Sequence, residues 1–214
     1  MGMAISELVL ATRNQHKGEE LVALLAGLGI TIRTLKDFPD APEVEEDGAT
    51  CEANAIKKAV EIARATGLPA VADDTGLEVD ALGGRPGVYA ARYAGEQASY
   101  EDNCRKLISE LSGVPLKQRT ARFLTVAALA VPSEEIQVAL GVLNGYITEN
   151  PAGSHGFGYD PVFYVPDLGA TLAELSAEHK NRISHRAKAF QQVRELLQQR
   201  NADAEIVRTV GQPE

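Results

Sequence analysis

Residues 70–77 read AVADDTGL, an apolar run that predicts a buried β-strand and ends in two adjacent carboxylates, Asp73 and Asp74. Like charges side by side destabilise a fold unless a positive group binds them. In open α/β sheets, ligands bind at the carboxyl ends of strands. We therefore expect a ligand site here, where Mg²⁺ held by carboxylates and substrate phosphates would relieve the repulsion. The alternative is a pair of exposed aspartates that begin a turn before Gly76.

The segments around this strand alternate between strand and helix patterns. Residues 4–12 (AISELVLAT) predict a strand, and residues 52–67 predict a helix with one apolar face. The β-rich segments 120–131 and 136–147 are separated by PSEE, which predicts an antiparallel hairpin. The fold class is therefore α/β, with a mixed β-sheet flanked by helices. No connection is long enough to divide the chain, so residues 1–214 are expected to form a single domain.

Length, charge and cysteine content exclude several classes of protein. The chain has 214 residues, of which 44% are hydrophobic, and this is enough for a sizeable core. The formal net charge of −9 argues against a protein that coats nucleic acid, so an anionic ligand must meet a local group of cations. Cys51 and Cys104 lack metal-ligand spacing, and no apolar run approaches the ~20 residues that span a bilayer. We expect a cytoplasmic protein with reduced thiols that binds neither membranes nor nucleic acid polymers.

Two segments offer groups that could bind phosphate and a metal ion. In TRNQHK (residues 12–17), Asn14 can cap a helix whose free first-turn amides suit phosphate oxygens, and Lys17 adds positive charge. Residues 36–50 form a loop rich in Asp and Glu, which could supply a second carboxylate for the metal. The alternatives are an ordinary capped helix with solvated basic residues and an acidic loop that is only solvated.

Two later segments offer groups that could bind a nucleoside. In GSHGFGYDPVF (residues 153–163), glycines let the backbone approach a ligand closely, and Phe157 and Tyr159 present aromatic faces. The segment HKNRISHRAKAF (residues 179–190) contains no acidic residue, and Ser184 can cap a helix there. The two residues after the cap would lie at its positive end and could reach an anion or a purine edge. The alternatives are a tight turn before a strand and a basic helix start that balances the acidic body of the protein.

Together these segments supply the parts of a nucleotide site: carboxylates for a metal, cations for phosphates, and aromatic rings with hydrogen-bond donors for a base. The sequence contains no GxxxxGK[ST], complete GxGxxG, HExxH, GxSxG or paired CxxC motif. A P-loop or dinucleotide-binding enzyme is therefore not expected.

Five stretches occur along the chain in the order LATRNQHKGEEL, EEDGATCEANAIKKA, ADDTGLEVDALGGRPGVYAARYAG, GFGYDPVF and ISHRAKAF. The same order is found in inosine/xanthosine triphosphate pyrophosphatases, and the chain resembles that family over nearly its whole length. The resemblance implies an elongated mixed β-sheet, two lobes around a central nucleotide-binding cleft, and a homodimer. Arg13 stands where the family commonly has glycine and Cys51 where an aromatic residue is frequent, and neither departure removes a charged group.

The resemblance also implies roles for individual residues. Asp74 would be the catalytic carboxylate and a Mg²⁺ ligand, with Asp73 as a supporting acid. A glutamate of the acidic loop would be the second ligand, with Glu46 favoured over its neighbour Glu45. The residues implied to hold the triphosphate, or to stand beside Asp74, are Thr12, Arg13, Asn14, Gln15, His16, Lys17, Lys58 and Thr75. Those implied to surround the nucleoside are Phe157, Gly158, Tyr159, Asp160, Lys180, His185 and Arg186.

The reaction implied is attack of water on the α-phosphorus of a non-standard purine nucleoside triphosphate such as ITP, dITP or XTP, which releases the monophosphate and pyrophosphate. Lys180, His185 and Arg186 are expected to donate hydrogen bonds to the oxygen at purine position 6, where adenine carries an amino group. Two alternatives remain open. One is a pyrophosphatase for modified pyrimidine or methylated nucleotides, and the other is a nucleotide sensor without catalytic activity.

Overall fold

The computed structural model of the protein describes residues 3–210, with side chains described as far as residue 206. Within this range, eight strands form one sheet: β1 (Glu7–Leu10), β2 (Thr31–Thr34), β3 (Ala70–Val79), β4 (Pro86–Gly87), β5 (Thr120–Ala130), β6 (Gln137–Ile147), β7 (Phe163–Val165) and β8 (Ala170–Thr171). The same range contains five α-helices: α1 (Gln15–Leu24), α2 (Cys51–Thr66), α3 (Tyr100–Glu110), α4 (Ala177–Ile183) and α5 (His185–Val210).

The sheet is mixed, as predicted. Its strand order is β2-β1-β3-β5-β6-β7-β8, and β4 pairs with β3 beside this path. Strand β1 runs parallel to β2 and β3, whereas the other pairings are antiparallel. The predicted hairpin is the β5–β6 pair, whose register runs from Thr120 opposite Tyr146 to Leu129 opposite Gln137.

The core has three parts that belong to two lobes. Helix α2 packs Ala59 and Ile62 against one face of the sheet, and α1 and α5 pack Leu21 and Phe190 against the opposite face. These two layers form the first lobe. Around Leu107 of α3 a third cluster joins the carboxyl end of β3 to the start of β5 and to β6 and β7, and it forms the second lobe.

Strand β3 does not end at the two aspartates, and the sequence-based placement of a strand end there is wrong. The strand continues to Val79 because β5 pairs with it along its whole length. On the other edge, β1 pairs only with Ala70 and Val71, and β4 pairs only with Leu77 and Glu78. Residues 72–76 therefore have one edge that is not covered by a strand of the described chain.

The two carboxylates do not face each other, because successive side chains of a strand point to opposite faces of a sheet. The side chain of Asp73 lies on the face covered by α1 and α5, where it meets Lys17 and Arg186. Asp74 lies on the face covered by α2, where it meets Asn54. Alternation along β3 thus separates the like charges, and protein cations compensate Asp73.

The single domain expected over residues 1–214 stays a prediction, and residues 1–2 and 211–214 of that range lie outside the described part of the chain. The long strands β3 and β5 favour it, since both run through the two lobes. No helix in the described part of the chain has the length and hydropathy to cross a membrane.

Candidate active site

A cavity of about 300 Å³ opens between the two lobes, beside the uncovered edge of β3. This volume is in the range of small-molecule sites. Most residues predicted from the sequence line it, namely Thr12, Arg13, Asn14, Lys17, Glu46, Lys58, Asp74, Thr75, Phe157, Gly158, Tyr159, Asp160, Lys180, His185 and Arg186. Three predicted residues, Gln15, His16 and Glu45, do not line it. Of the two adjacent glutamates, only Glu46 reaches the cavity.

One end of the cavity is built by the start of α1. Asn14 caps this helix, since its Oδ1 accepts a hydrogen bond from the Lys17 amide at 3.1 Å, as the sequence predicts. The Nζ atom of Lys17 lies 3.4 Å from Asp73 Oδ2 and is partly exposed, so it can also reach a ligand. By contrast, the Gln15 side chain turns away to donate to Glu19 at 2.9 Å.

Lys58 connects helix α2 to the acidic loop and to strand β3. Its Nζ donates to Glu46 Oε1 at 2.6 Å and to the carbonyl oxygen of Asp73 at 2.7 Å. Burial alone would lower the pKa of Lys58, but the nearby carboxylates of Asp73, Glu46 and Asp74 outweigh burial and raise it. The lysine is therefore a fixed positive charge between the acidic loop and β3.

The acidic loop is held in place by two arginines. Arg13 Nη2 donates to the carbonyl oxygen of Ala41 at 2.8 Å, and Arg92 Nη2 donates to that of Glu46 at 3.1 Å. Arg13 lines the cavity, but its Nη2 group is hydrogen-bonded to the acidic loop. It therefore also has a structural role that the sequence did not reveal.

Asp74 is a buried carboxylate with two donors in fixed positions. Its Oδ2 accepts from Asn54 Nδ2 at 3.0 Å, and its Oδ1 accepts from the backbone amide of Thr75 at 2.8 Å. Burial raises the pKa of Asp74 above its usual value, although Lys58 and Lys17 act in the opposite direction. A raised pKa makes the carboxylate a stronger base, which suits a group that accepts a proton from water.

Asp73 has the opposite electrostatic environment. Burial alone would raise its pKa, but Lys17, Arg186 and Lys58 outweigh burial and hold the pKa well below its usual range. The Nε atom of Arg186 donates to Asp73 Oδ2 at 3.1 Å, while Oδ1 has no hydrogen-bond partner among the described residues. Asp73 is thus an ionised carboxylate, and its negative charge balances the surrounding cations.

We expect Asp73→Asn to change how stability depends on pH. Because the folded-state pKa of Asp73 is lowered, its contribution is fully present above the unfolded-state value of 3.8 and is lost as the pH falls through that region. The wild type should therefore be much more stable than the variant at pH 7, and the difference should shrink below about pH 4. Urea unfolding of both proteins at pH 7 and at acid pH measures it.

The matched control is Asp80→Asn, which removes an exposed carboxylate that accepts from Thr120 at 2.6 Å. Its effect on stability should be small at both pH values. An Asp73→Asn deficit that is equally large at neutral and acid pH would contradict the electrostatic account.

The other end of the cavity is built around Phe157. The Nζ atom of Lys180 lies 4.8 Å from the centre of its ring, and the Arg186 guanidinium lies 5.5 Å from it. His16 stacks on Phe157 at 5.5 Å, so the structure places this histidine beside the aromatic end, and the role in holding the triphosphate that the resemblance implies stays a prediction. The hydroxyl group of Tyr159 donates to the carbonyl oxygen of Ala90 at 2.8 Å, which fixes the ring at the cavity wall.

The start of α5 carries two of these residues, His185 and Arg186. Ser184 caps the helix as predicted, because its Oγ accepts from the Ala187 amide at 3.1 Å. The helix approaches β6 so closely that a Cβ atom at Gly141 would overlap the carbonyl oxygen of His185. A glycine in the middle of a strand pattern is the sequence signal of such an approach.

Glu20 supports the aromatic end of the cavity, although no sequence motif pointed to it. Its Oε1 accepts from Lys180 Nζ at 2.8 Å and its Oε2 from Arg186 Nη1 at 2.6 Å, so it pairs with both cations at the aromatic end. Glu20 follows Lys17 by three residues and hence shares its face of α1, which is the signal that could have identified it. Thr125 was also missed, because its position depends on strand register.

The carboxylates at and near Asp74 are suitable ligands for a magnesium ion that is also bound by substrate phosphates. Asp74 and Glu46 both line the cavity, Lys58 contacts Glu46, and the two carboxylates interact electrostatically. Mg²⁺ is usually held by one or two carboxylates, with waters and substrate phosphates as its other ligands. Residues 3–210 contain no cluster of three or more His, Cys, Asp or Glu side chains arranged to hold a metal by themselves.

Comparison with known proteins gives consistent matches over most of the chain. The model of the Ham1 family matches residues 8–196. The dITP/XTP pyrophosphatase of Geobacter sulfurreducens is 53% identical over 193 residues, which are 90% of this chain and 97% of that protein. The enzyme of the same name from Bacillus subtilis is 46% identical over 194 residues, covering 91% of this chain and 98% of that protein.

Solved structures agree with these matches. A HAM1 protein from Coxiella burnetii superposes with a TM-score of 0.83 at 41% identity, over 91% of this chain and 100% of that chain. The nucleoside-triphosphatase, or dITP/XTP pyrophosphatase, of Mycobacterium abscessus superposes with a TM-score of 0.71 at 41% identity, over 87% of this chain and 98% of that chain.

Proposed function

The chain belongs to the Ham1 family, and from this membership we propose that it hydrolyses non-standard purine nucleoside triphosphates such as dITP, ITP and XTP to monophosphate and pyrophosphate. The enzyme is a nucleoside triphosphate pyrophosphatase that removes these compounds from the nucleotide pool. The resemblance to inosine/xanthosine triphosphate pyrophosphatases found in the sequence is thereby confirmed.

One observation carries the assignment of this activity to the cavity. A single cavity joins a carboxylate and cation group, made of Asp74, Glu46 and Lys58, to an aromatic ring with two cations, made of Phe157, Lys180 and Arg186. The first group suits phosphates and a hard cation, and the second suits a purine base with hydrogen-bond acceptors on its edge.

In the proposed mechanism, Lys17 and Lys58 bind phosphate oxygens and place the α-phosphorus near Asp74. Asp74 orients a water molecule and accepts its proton as the oxygen attacks the α-phosphorus, and the bond to the bridging oxygen of the β-phosphate breaks. Asn54 and the Thr75 amide hold the Asp74 carboxylate in one orientation through the attack. The products are the nucleoside monophosphate and pyrophosphate.

We propose that Asp74 and Glu46 hold Mg²⁺ in the loaded enzyme. The ion would supply positive charge that stabilises the negative charge of the phosphates during bond cleavage. Glu46 is already positioned for this by Lys58 and by the hydrogen bond from Arg92 to its carbonyl oxygen.

We expect the protein to convert ITP and XTP to monophosphate and pyrophosphate in the presence of Mg²⁺, and to lose this activity when the metal is chelated. Chromatography of the products, with pyrophosphate and orthophosphate quantified separately, measures the outcome. Release of diphosphate and orthophosphate would place the attack at the γ-phosphorus and contradict the proposal. Binding without any turnover would favour the nucleotide sensor, and preference for modified pyrimidine or methylated nucleotides would favour the other alternative.

We also propose a homodimer in the cytoplasm. The exposed side chains of Ile136, Val138 and Leu140 lie two residues apart at the start of β6 and immediately before it, and they give the protein an apolar surface that a second copy could cover. Light scattering of the purified protein tests the dimer, and cell fractionation tests the location.

A further inference from the structure

A chain of hydrogen-bonding groups runs under the aromatic end of the cavity and has no part in the mechanism above. Nδ1 of His185 lies 2.6 Å from Thr125 Oγ1, which lies 2.7 Å from Thr75 Oγ1. The Thr75 oxygen lies in turn 3.4 Å from Asp73 Oδ2. Thr125 is fully buried, and His185 is 3% exposed, so neither exchanges hydrogen bonds freely with water.

The histidine at the end of this chain is neutral. Burial lowers the pKa of His185 well below its ordinary value, and the charges of Arg186 and Lys180 lower it further. A neutral imidazole carries its proton on only one of its two nitrogens. Nε2 has no hydrogen-bond partner among the described residues, and the ring lines the cavity, so Nε2 is the atom left for a ligand.

The direction of the chain is set at Thr75. Arg186 Nη2 donates to Thr75 Oγ1 at 3.2 Å, so the threonine keeps its own proton to donate. Asp73 is the negative end of the hydrogen-bond chain, because its Oδ2 lies 3.4 Å from Lys17 Nζ and 3.1 Å from Arg186 Nε, and the same oxygen accepts from Thr75 Oγ1 at 3.4 Å. A chain of hydroxyl groups that ends at a carboxylate is polarised with its protons toward the negative charge.

With the Thr75 proton directed to Asp73, the remaining two bonds have only one arrangement. Thr125 must donate to Thr75, and His185 must then donate from Nδ1 to Thr125. We propose that this chain of hydrogen bonds fixes His185 as the Nδ1–H tautomer, so that Nε2 accepts a hydrogen bond from the base. Thr125 is the positioning residue that maintains this tautomer.

This inference rests on the proposed function and names a means of base selection within it. Purines with an oxygen at position 6 carry an N–H group at position 1, which donates to the Nε2 lone pair. Adenine carries a lone pair at position 1, so the two lone pairs repel each other. His185 thus has the opposite polarity from the donor role that the sequence predicts, and donation to the 6-oxygen is left to Lys180 and Arg186.

The tautomer can be measured in the unliganded protein by nitrogen-15 NMR of the histidine ring, with His185→Gln identifying the signal. We expect a protonated Nδ1 and an unprotonated Nε2 in the wild type, and a mixture of tautomers in Thr125→Val. A wild-type spectrum with the proton on Nε2 would overturn the inference. Because this spectrum needs no substrate, its result is independent of whether the protein hydrolyses ITP.

The effect on selectivity is measured as the ratio of kcat/KM for ITP to that for ATP. Loss of one hydrogen-bonded constraint in Thr125→Val should lower this ratio about tenfold, because His185 can then adopt the tautomer that adenine accepts. Thr125→Ser retains the hydroxyl group and should restore the ratio. Thr120→Val, on the same strand but outside the cavity, should leave the ratio unchanged. An unchanged ratio in Thr125→Val, or no rescue by serine, would refute the role of the hydroxyl group.

Discussion

Asp74→Asn is expected to lower kcat for ITP by roughly 10²–10³ with little change in the melting temperature, since removal of one preorganised electrostatic group typically has an effect of this size. The amide keeps the shape of the side chain but removes the negative charge that would hold Mg²⁺ and accept the proton of water. Steady-state kinetics with pyrophosphate detection measures the loss, and thermal unfolding checks the fold.

The control for this prediction is Asp80→Asn, the same chemical change at a carboxylate one residue beyond β3 and outside the cavity. Its kcat should match the wild type. A near-normal kcat in Asp74→Asn with an unchanged melting curve would contradict the proposed role and move it to Asp73 or Glu46. Glu46→Gln then decides between these two residues.

Arg186→Ala is expected to lower the free energy of unfolding by about 3–5 kcal/mol, because removal of one partner from a buried ion-pair network leaves buried negative charge that is no longer fully compensated. Arg186 is buried and contacts two carboxylates, with Nη1 2.6 Å from Glu20 Oε2 and Nε 3.1 Å from Asp73 Oδ2. The alanine variant would remove the guanidinium group from both carboxylates and leave Asp73 with Lys17 at 3.4 Å and Glu20 with Lys180 at 2.8 Å. Urea unfolding at pH 7 measures the change.

Arg182→Ala is the matched control, because Arg182 pairs with Glu178 at the surface of α4 and both side chains are largely exposed. Such a pair contributes about 0–1 kcal/mol, so this variant should unfold almost as the wild type does. Equal stability of both alanine variants would show that the buried network does not depend on Arg186. The role predicted for Arg186 in base selection is better measured in Arg186→Lys, which retains a positive charge.

The amino-acid sequence alone determined the kind of secondary structure in most segments and much of the cavity lining. Helix α2 begins at Cys51, one residue from its predicted start, because Thr50 accepts from the Ala53 amide at 3.1 Å, and it ends before Gly67 at a φ of 70°. The caps at Asn14 and Ser184 were readable for the same reason, since a cap depends on residues three positions apart. Local chemistry decides these features.

The roles of individual side chains in the cavity were only partly predictable from the sequence. The predicted cations and carboxylates do meet in one cavity, but the sequence did not show which of them are occupied by structural bonds. Arg13 holds the acidic loop through Ala41, and the hydroxyl group of Tyr159 donates to Ala90. In each pair the residues are far apart along the chain, so no local pattern records the contact.

Only the tertiary structure decided how the carboxylates are used. Pairing with β5 carries β3 past Asp73 and Asp74, and the alternation of the strand then gives one to the cations of α1 and α5 and the other to α2. Glu20 meets Arg186 across 166 positions of sequence, and Thr75 meets Thr125 across 50. Such contacts follow from strand register and from the packing of helices on opposite faces of the sheet, and register is a property of paired segments that neither segment specifies alone.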